Sequence, residues 1–441
     1  MPLRYFTLAL VALVVALASA PAGLSSQTAA TAPAAKVADA VAARVQTFEK
    51  VWQIVNDKFY DPNFNGVDWN AVRERYAPRV ARLKTDAELY KLLGEMLGEL
   101  KASHFGIIPP QAAGEPIDAG DASWGGDVGM TVRMIEDRPT ITDVEADAPA
   151  AAAGLRPGFI VTRIGKQQLA EIQKRAAEQY DRPVMRAFRV RRAIDSLLAG
   201  MPRTTVEVAY LDASDDRHTV SLTRRDSPGR PLTFGQMPTV LTRVESSRLA
   251  NGVGYLKFNI FMPAMMDDIR AAIRSFKDAP AVIVDLRGNP GGIGVMAPAI
   301  AALFEPAQTL LGTMKMRKGE IRFVTFVQPD PYTGPLVILT DEGSASTSEV
   351  MAGGMQENGR AAIVGGPSLG AVLPSLLERL PSGAVLQYAV ADFKTPKGVM
   401  LEGRGVLPDV DVAPRRRDYL TGRDPVLDAA LKHLGPTDFG F

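Results

Sequence analysis

Leu336-Val337-Ile338-Leu339-Thr340-Asp341-Glu342-Gly343-Ser344-Ala345-Ser346-Thr347-Ser348-Glu349 passes from an apolar strand, through a turn of small residues, into a helix. The same grammar repeats around it. Strands are expected at Gly254–Phe258, Ala281–Leu286 and Leu336–Thr340, and helices at Ala264–Phe276, Val295–Phe304 and Ser348–Asn358. Such alternation argues an α/β domain on a largely parallel sheet. Upstream, between about Ile117 and Arg225, short β-like runs stand between Gly, Pro and Asp turns: Val128–Met134, Thr140–Val144, Phe159–Ile164, Thr205–Leu211 and His218–Leu222. A charged helical stretch, Leu169–Leu198, interrupts them. Further upstream, Val37–Leu100 is helical by period, with Val45, Phe48, Val51, Trp52 and Val55 recurring at three and four, then Leu89, Leu92, Leu93, Met96, Leu97 and Leu100. The chain therefore reads as a multidomain α+β and α/β protein.

Composition removes several function classes. Fifty Lys plus Arg against 49 Asp plus Glu give a net charge of +1, which supplies no field for capturing nucleic acid. With no cysteine there is no disulfide, thiolate metal site or lipid-anchoring thiol, and three histidines scattered along the chain argue against a multi-histidine metal centre. The first residues carry one positive charge, Arg4, the apolar run Phe6–Ala20 and small residues at Ala18, Ala20 and Ala22. This is the pattern of a secretory signal peptide, cleaved after Ala22, and it implies an exported protein. Membrane association would come only from an uncleaved leader, whose apolar run is shorter than the roughly 20 residues of a spanning helix. Residues 23–36 read as a linker.

Three loops carry residue types suited to chemistry. A serine at the strand-to-helix turn around Ser346 gains from the free N–H groups of the helix start, which favour developing negative charge. Ser346 and Glu349 also fit an S-x-x-E capping box, which needs no catalysis. Arg287-Gly288-Asn289-Pro290-Gly291-Gly292 ends another apolar strand, and its glycines let backbone N–H groups face a cavity. The third loop, Ser103-His104, follows the last N-terminal helix. His218 and His433 read as ordinary surface histidines.

Together these residues resemble a family. Arg287–Gly292, then Gly343-Ser344-Ala345-Ser346-Thr347-Ser348-Glu349, then Gly405-Val406-Leu407-Pro408-Asp409 are similar, in order, to the motifs of the carboxy-terminal processing and tricorn-type serine peptidases, family S41. Asp127-Val128-Gly129-Met130 and Ala153-Gly154-Leu155-Arg156-Pro157-Gly158 resemble a PDZ domain. The resemblance implies an N-terminal helical domain over residues 37–115, a PDZ-like domain with a helical insertion over 116–228, and a crotonase/ClpP-like ββα-superhelix peptidase domain over 229–441. It makes Ser346 the nucleophile. Ser-Lys members carry their base some 25 residues later, where this chain has Ala371, so a Ser-Lys dyad is contradicted at that position.

The tricorn-type branch implies a Ser-His-Ser-Glu tetrad instead, and Ser103, His104 and Glu402 match its other three positions. Gly291, Gly292 and Thr347 are the expected oxyanion donors. Gly126, Asp127, Val128, Gly129 and Met130 are the expected receiving loop for a substrate's C-terminal carboxylate. The implied partners are peptides or unfolded proteins with free C-termini, and no metal or cofactor is implied. Two other readings stay open, a catalytically inactive PDZ scaffold and an apolar-ligand carrier.

Overall fold

The computed structural model describes residues 33–110, 125–235 and 237–435. The expected signal peptide lies outside them. The first helix, α1 (Pro33–Lys58), begins inside the stretch expected to be linker, because the Ala-rich run Ala34–Ala43 continues the helical period backward from Val45. It packs with α2 (Trp69–Val80) and α3 (Asp86–Gly98), the latter started by a Thr85–Glu88 capping box. Phe48, Val51, Trp69, Leu89, Leu93 and Met96 fill the space between them.

This first core reaches beyond the N-terminal residues. Leu373, Leu380, Leu386 and Tyr388 are buried in it, and the strand Gly106–Ile108 pairs antiparallel with Val385–Ala389. The helical segment and the C-terminal third thus share one core rather than meeting at a boundary near residue 115. That shared strand pair fixes the loop carrying Ser103 and His104.

The middle segment is an antiparallel sheet in the order Met130–Ile135, Arg138–Val144, Ile160–Ile164, Thr205–Leu211, Arg217–Thr223, which leaves Met130–Ile135 at an edge. A single turn, α4 (Pro149–Ala152), precedes its third strand. The charged stretch after that strand is two helices rather than one, α5 (Leu169–Gln179) and α6 (Pro183–Leu198). Pro183 forces the break, since proline cannot donate to the preceding turn and restricts the residue before it, so it serves as the first residue of α6. Val190, Ile194 and Leu198 turn α6 onto the sheet beside Ile141, Val161 and Val208.

The third segment holds a six-stranded sheet in the order Val244–Arg248, Gly254–Phe258, Val282–Asp285, Leu336–Thr340, Ala362–Gly365, Val410–Asp411. Its first pair is antiparallel and the other four are parallel. Its inner strands are buried on both faces, as the uninterrupted Val282-Ile283-Val284 and Leu336-Val337-Ile338-Leu339 require. One face packs on α7 (Met266–Ser275), α8 (Met296–Ala301) and α9 (Thr347–Glu357). The short α10 (Arg416–Leu420) follows the last strand, and α11 (Pro425–Leu434) covers the other face through Val426 and Ala430. The neighbouring strands Val282–Asp285 and Leu336–Thr340 run parallel, so the loops 286–292 and 341–347 leave the same sheet edge together. Ligands meet open α/β sheets at such carboxyl ends.

Candidate active site

The two loops are laced together by their own polar atoms. The Asp341 carboxylate accepts the N–H groups of Gly288 and Gly343, each at 2.8 Å. Ser344 Oγ donates to Leu286 O at 2.7 Å, and Ser348 Oγ to Asn289 O at 2.9 Å. Thr347 Oγ1 donates to Gly292 O at 2.9 Å. The small residues of the sequence are thus required by close approach: a Cβ on Gly291 would fall 2.7 Å from Ser346 Cβ and from Thr347 N.

Ser346 stands at the last position before α9 with φ 55°, in the left-handed region that a non-glycine residue enters only when its surroundings compel it. Along Gly343–Val350 it alone is not buried. The turn therefore lifts its side chain out of a packed loop, as a nucleophile at a sharp strand-to-helix elbow requires. His104, also at positive φ (59°), brings Nε2 to 3.2 Å from Ser346 Oγ across 242 positions of sequence. Its Nδ1 lies 2.9 Å from Ser103 Oγ, and Ser103 Oγ lies 2.9 Å from Glu402 Oε2.

The order of these contacts fixes the protons. Ser103 has one hydroxyl proton, which it donates to the Glu402 carboxylate, so its oxygen accepts from Nδ1–H of His104. The imidazole then presents a bare Nε2 to Ser346, the tautomer a general base needs. Desolvation holds this imidazole down to about 4, so the ring is neutral at neutral pH. Glu402 is no free loop carboxylate: it also accepts Ser103 N–H and Val372 N–H, both at 2.9 Å.

The expected oxyanion donors separate. Asn289 Oδ1 takes the N–H of Gly291 at 2.9 Å, an Asx turn that removes Gly291 from the donor set. Gly292 N–H and Thr347 N–H find no acceptor among the described residues. Thr347 is the first residue of α9, where an intrahelical partner is impossible. In the expected receiving loop, Gly126 N–H is likewise spent, on Gly200 O at 2.9 Å, while Asp127 pairs with Arg225. Val128 is buried, and Met130 begins the edge strand of the antiparallel sheet.

Sequence reasoning assigned Glu349 only as a helix cap. Its carboxylate is wholly buried and accepts four hydrogen bonds: Ser346 N–H at 3.0 Å, Ser368 Oγ at 2.6 Å, Gly370 N–H at 2.7 Å and Ala371 N–H at 3.0 Å. It fastens the serine's own peptide to the loop containing Ala371, whose carbonyl also accepts Ser346 N–H at 2.9 Å. Burial pushes this carboxyl up to about 7, against the pull of its four donors. Lys394 and Lys397 are exposed, and His218 pairs with Asp212 at 2.8 Å away from the site.

A raised folded pKa means that the native state holds its proton where the unfolded chain has lost it. This group's contribution to stability is therefore full below about 4.5 and declines as pH rises to about 7. Glu349→Gln removes that slope and sets an amide N–H against at least one backbone donor, a loss of about 2 kcal/mol. The expected result is a Tm below wild type, with a larger deficit at pH 5 than at pH 7. Thermal melts at the two values check it, and a deficit that grows toward pH 7 contradicts it.

Comparisons with known proteins agree with this geometry. The family model "Peptidase family S41" matches residues 252–412, and the model "Tricorn protease C1 domain" matches residues 40–98. A carboxyl-terminal-processing protease of Synechocystis sp. is 27% identical over 370 residues, covering 81% of this chain and 78% of that protein. Tricorn protease homolog 1 of Streptomyces coelicolor is 26% identical over 394 residues, covering 88% of this chain but 34% of its own greater length. Among solved structures, a photosystem II D1 C-terminal processing protease superposes with a TM-score of 0.59 at 21% identity, over 90% of this chain and 99% of that one, a likeness of fold. Residues 252–412 of the chain thus match peptidase family S41, and the chain is a serine-type peptidase.

Proposed function

We propose that the chain is an exported serine endopeptidase that cleaves peptides or unfolded proteins, with Ser346 as nucleophile and His104 as general base. The single observation that carries this reading is the unbroken hydrogen-bonded line Ser346–His104–Ser103–Glu402. In the first half-reaction His104 Nε2 takes the Ser346 proton as Oγ attacks the substrate carbonyl carbon. The new oxyanion faces the N–H groups of Thr347, at the start of α9, and of Gly292, in the loop 286–292, a contribution of about 3 kcal/mol per donor. Ser103 and the Glu402 anion stabilise the imidazolium. As the tetrahedral intermediate collapses, Nε2 returns the proton to the leaving amine. In the second half-reaction His104 deprotonates water, which attacks the acyl-enzyme and releases the second product with Ser346 restored.

In this reading the segment around residues 125–225 is a PDZ-like domain and the sheet carrying Ser346 belongs to a ββα superhelix. The edge strand Met130–Ile135 can accept an extended peptide as an added strand, with its carboxylate on the backbone N–H groups of the loop before it. With Gly126 committed, that receiving role falls to the residues from Val128 onward. The test is hydrolysis of one unfolded polypeptide with a free or an amidated C-terminus. The expected result is a kcat/KM lower by about tenfold for the amide. Equal values would remove C-terminal recognition and leave the endopeptidase reading in place.

A further inference from the structure

Helix α6 belongs to the middle segment, between the third and fourth strands of its antiparallel sheet, yet it lies across the loops that carry Ser346. Arg182, just before its first residue, donates from Nη2 to Leu369 O at 2.9 Å. Arg191, midway along it, rests its guanidinium on the backbones of Gly288 and Gly343, where an added Cβ would meet it at 2.5 and 1.9 Å, with Asp341 and Glu342 carboxylates at 3.9 and 4.0 Å. Arg182 thus hydrogen-bonds the loop 368–371, while Arg191 lies against the loops 287–288 and 341–343 through charge and packing rather than hydrogen bonds.

Between these two anchors α6 turns a pair of large apolar side chains toward the site. Met185 and Phe188 are half-buried and pack against Ala345, Leu369 and Ala371, a cluster separate from every larger core. They leave the helix on the side away from Val190, Ile194 and Leu198, which bind α6 to its own sheet. Ala345 immediately precedes the nucleophile, and Ala371 O accepts the Ser346 N–H. An alanine at 371, where the family resemblance implies a lysine, puts a methyl group rather than an amine against this cluster. Apolar side chains left partly open next to a reacting serine have the composition of a substrate pocket.

We propose that Met185 and Phe188 are specificity-determining residues. With Ala345, Leu369 and Ala371 they wall a subsite that takes an apolar side chain adjoining the scissile bond. The inference rests on Ser346 being the nucleophile. A substrate residue such as Leu or Phe would cover the half-buried Met185 and Phe188, whereas Asp or Lys would lose water there without gaining a partner. Discrimination by a hydrophobic pocket of this kind is about tenfold or more per side chain.

The test uses the full chain and a peptide series differing only in the residue beside one scissile bond, Leu, Ala, Asp or Lys, with kcat/KM read for wild type, Met185→Ala and Phe188→Ala. Wild type is expected to favour Leu over Asp by at least about tenfold, and each variant to shrink the Leu-to-Ala ratio by about threefold or more. Phe188→Leu, which keeps an apolar filler, carries the same readout if Phe188→Ala does not fold. A flat wild-type profile, or ratios unchanged in the variants, overturns the inference. Labelling of Ser346 by a fluorophosphonate separates the two failures: a labelled enzyme with a flat profile loses only the subsite, and an enzyme neither labelled nor able to cleave loses the peptidase reading as well.

Discussion

Ser346→Ala is expected to lower kcat for an unfolded protein substrate by about 10⁴-fold or more while leaving the fold intact. The side chain is small and partly exposed, so removing one oxygen creates no sizeable cavity, and the fastening of the turn uses the backbone of residue 346 rather than its hydroxyl. Binding and the oxyanion donors survive the change, which is why a residual rate above water persists. Mass-spectrometric counting of cleavage products, alongside an unchanged Tm, checks the expectation. Wild-type rates in this variant would return Ser346 to the role of a helix cap.

His104→Ala is expected to cost about as much, about 10⁴-fold, because nucleophile and base act as one unit and losing either disables proton transfer. Glu402→Gln tests the rest of the line more subtly. Glu402 Oε1 accepts one donor and Oε2 accepts two, so an amide nitrogen in either position meets a donor with a donor. If Ser103 then reverses its hydroxyl, its oxygen no longer accepts from Nδ1–H and the imidazole loses the tautomer that leaves Nε2 bare. The expected loss for Glu402→Gln is about 10²-fold in kcat with KM little changed, since the interaction matters most when the ring is charged. A loss confined to KM would place Glu402 in substrate binding instead.

The parts of the fold legible in the sequence were those specified locally. Leu336–Thr340 followed by Gly343–Ser348 announces a buried strand, a tight turn and a helix start without reference to anything distant, and the structure has all three. The helical period through Phe48, Val51 and Val55 is of the same kind. The union of Ser103–His104 with Ser346 is not local. It depends on Gly106–Ile108 pairing with Val385–Ala389, and only resemblance to a family linked them beforehand. A signal for that strand was present in the mostly apolar run Val385-Leu386-Gln387-Tyr388 after the turn Pro381-Ser382-Gly383, but such a run cannot name its partner.

The same limit explains the polar surprises. S-x-x-E predicts a local carboxylate contact with Ser346, whereas three of the four donors to Glu349 come from residues 368–371. Glycine suggested that Gly291 would offer its N–H to substrate, yet the asparagine two positions before it claims that donor first. Pro183, by contrast, was a readable break in Leu169–Leu198, and reading it would have isolated α6 as the helix that reaches the loops around Ser346.

The central claim is that His104 activates Ser346. Its most direct measurement is the rate at which a fluorophosphonate attaches to Ser346 at pH 7, followed by mass spectrometry of the labelled peptide, in wild type and in His104→Ala. The hydrogen-bonded line predicts a single adduct on Ser346 in wild type and a rate lower by about 10³-fold or more in the variant. An unlabelled Ser346 in folded wild type, or equal rates in the two proteins, would contradict it.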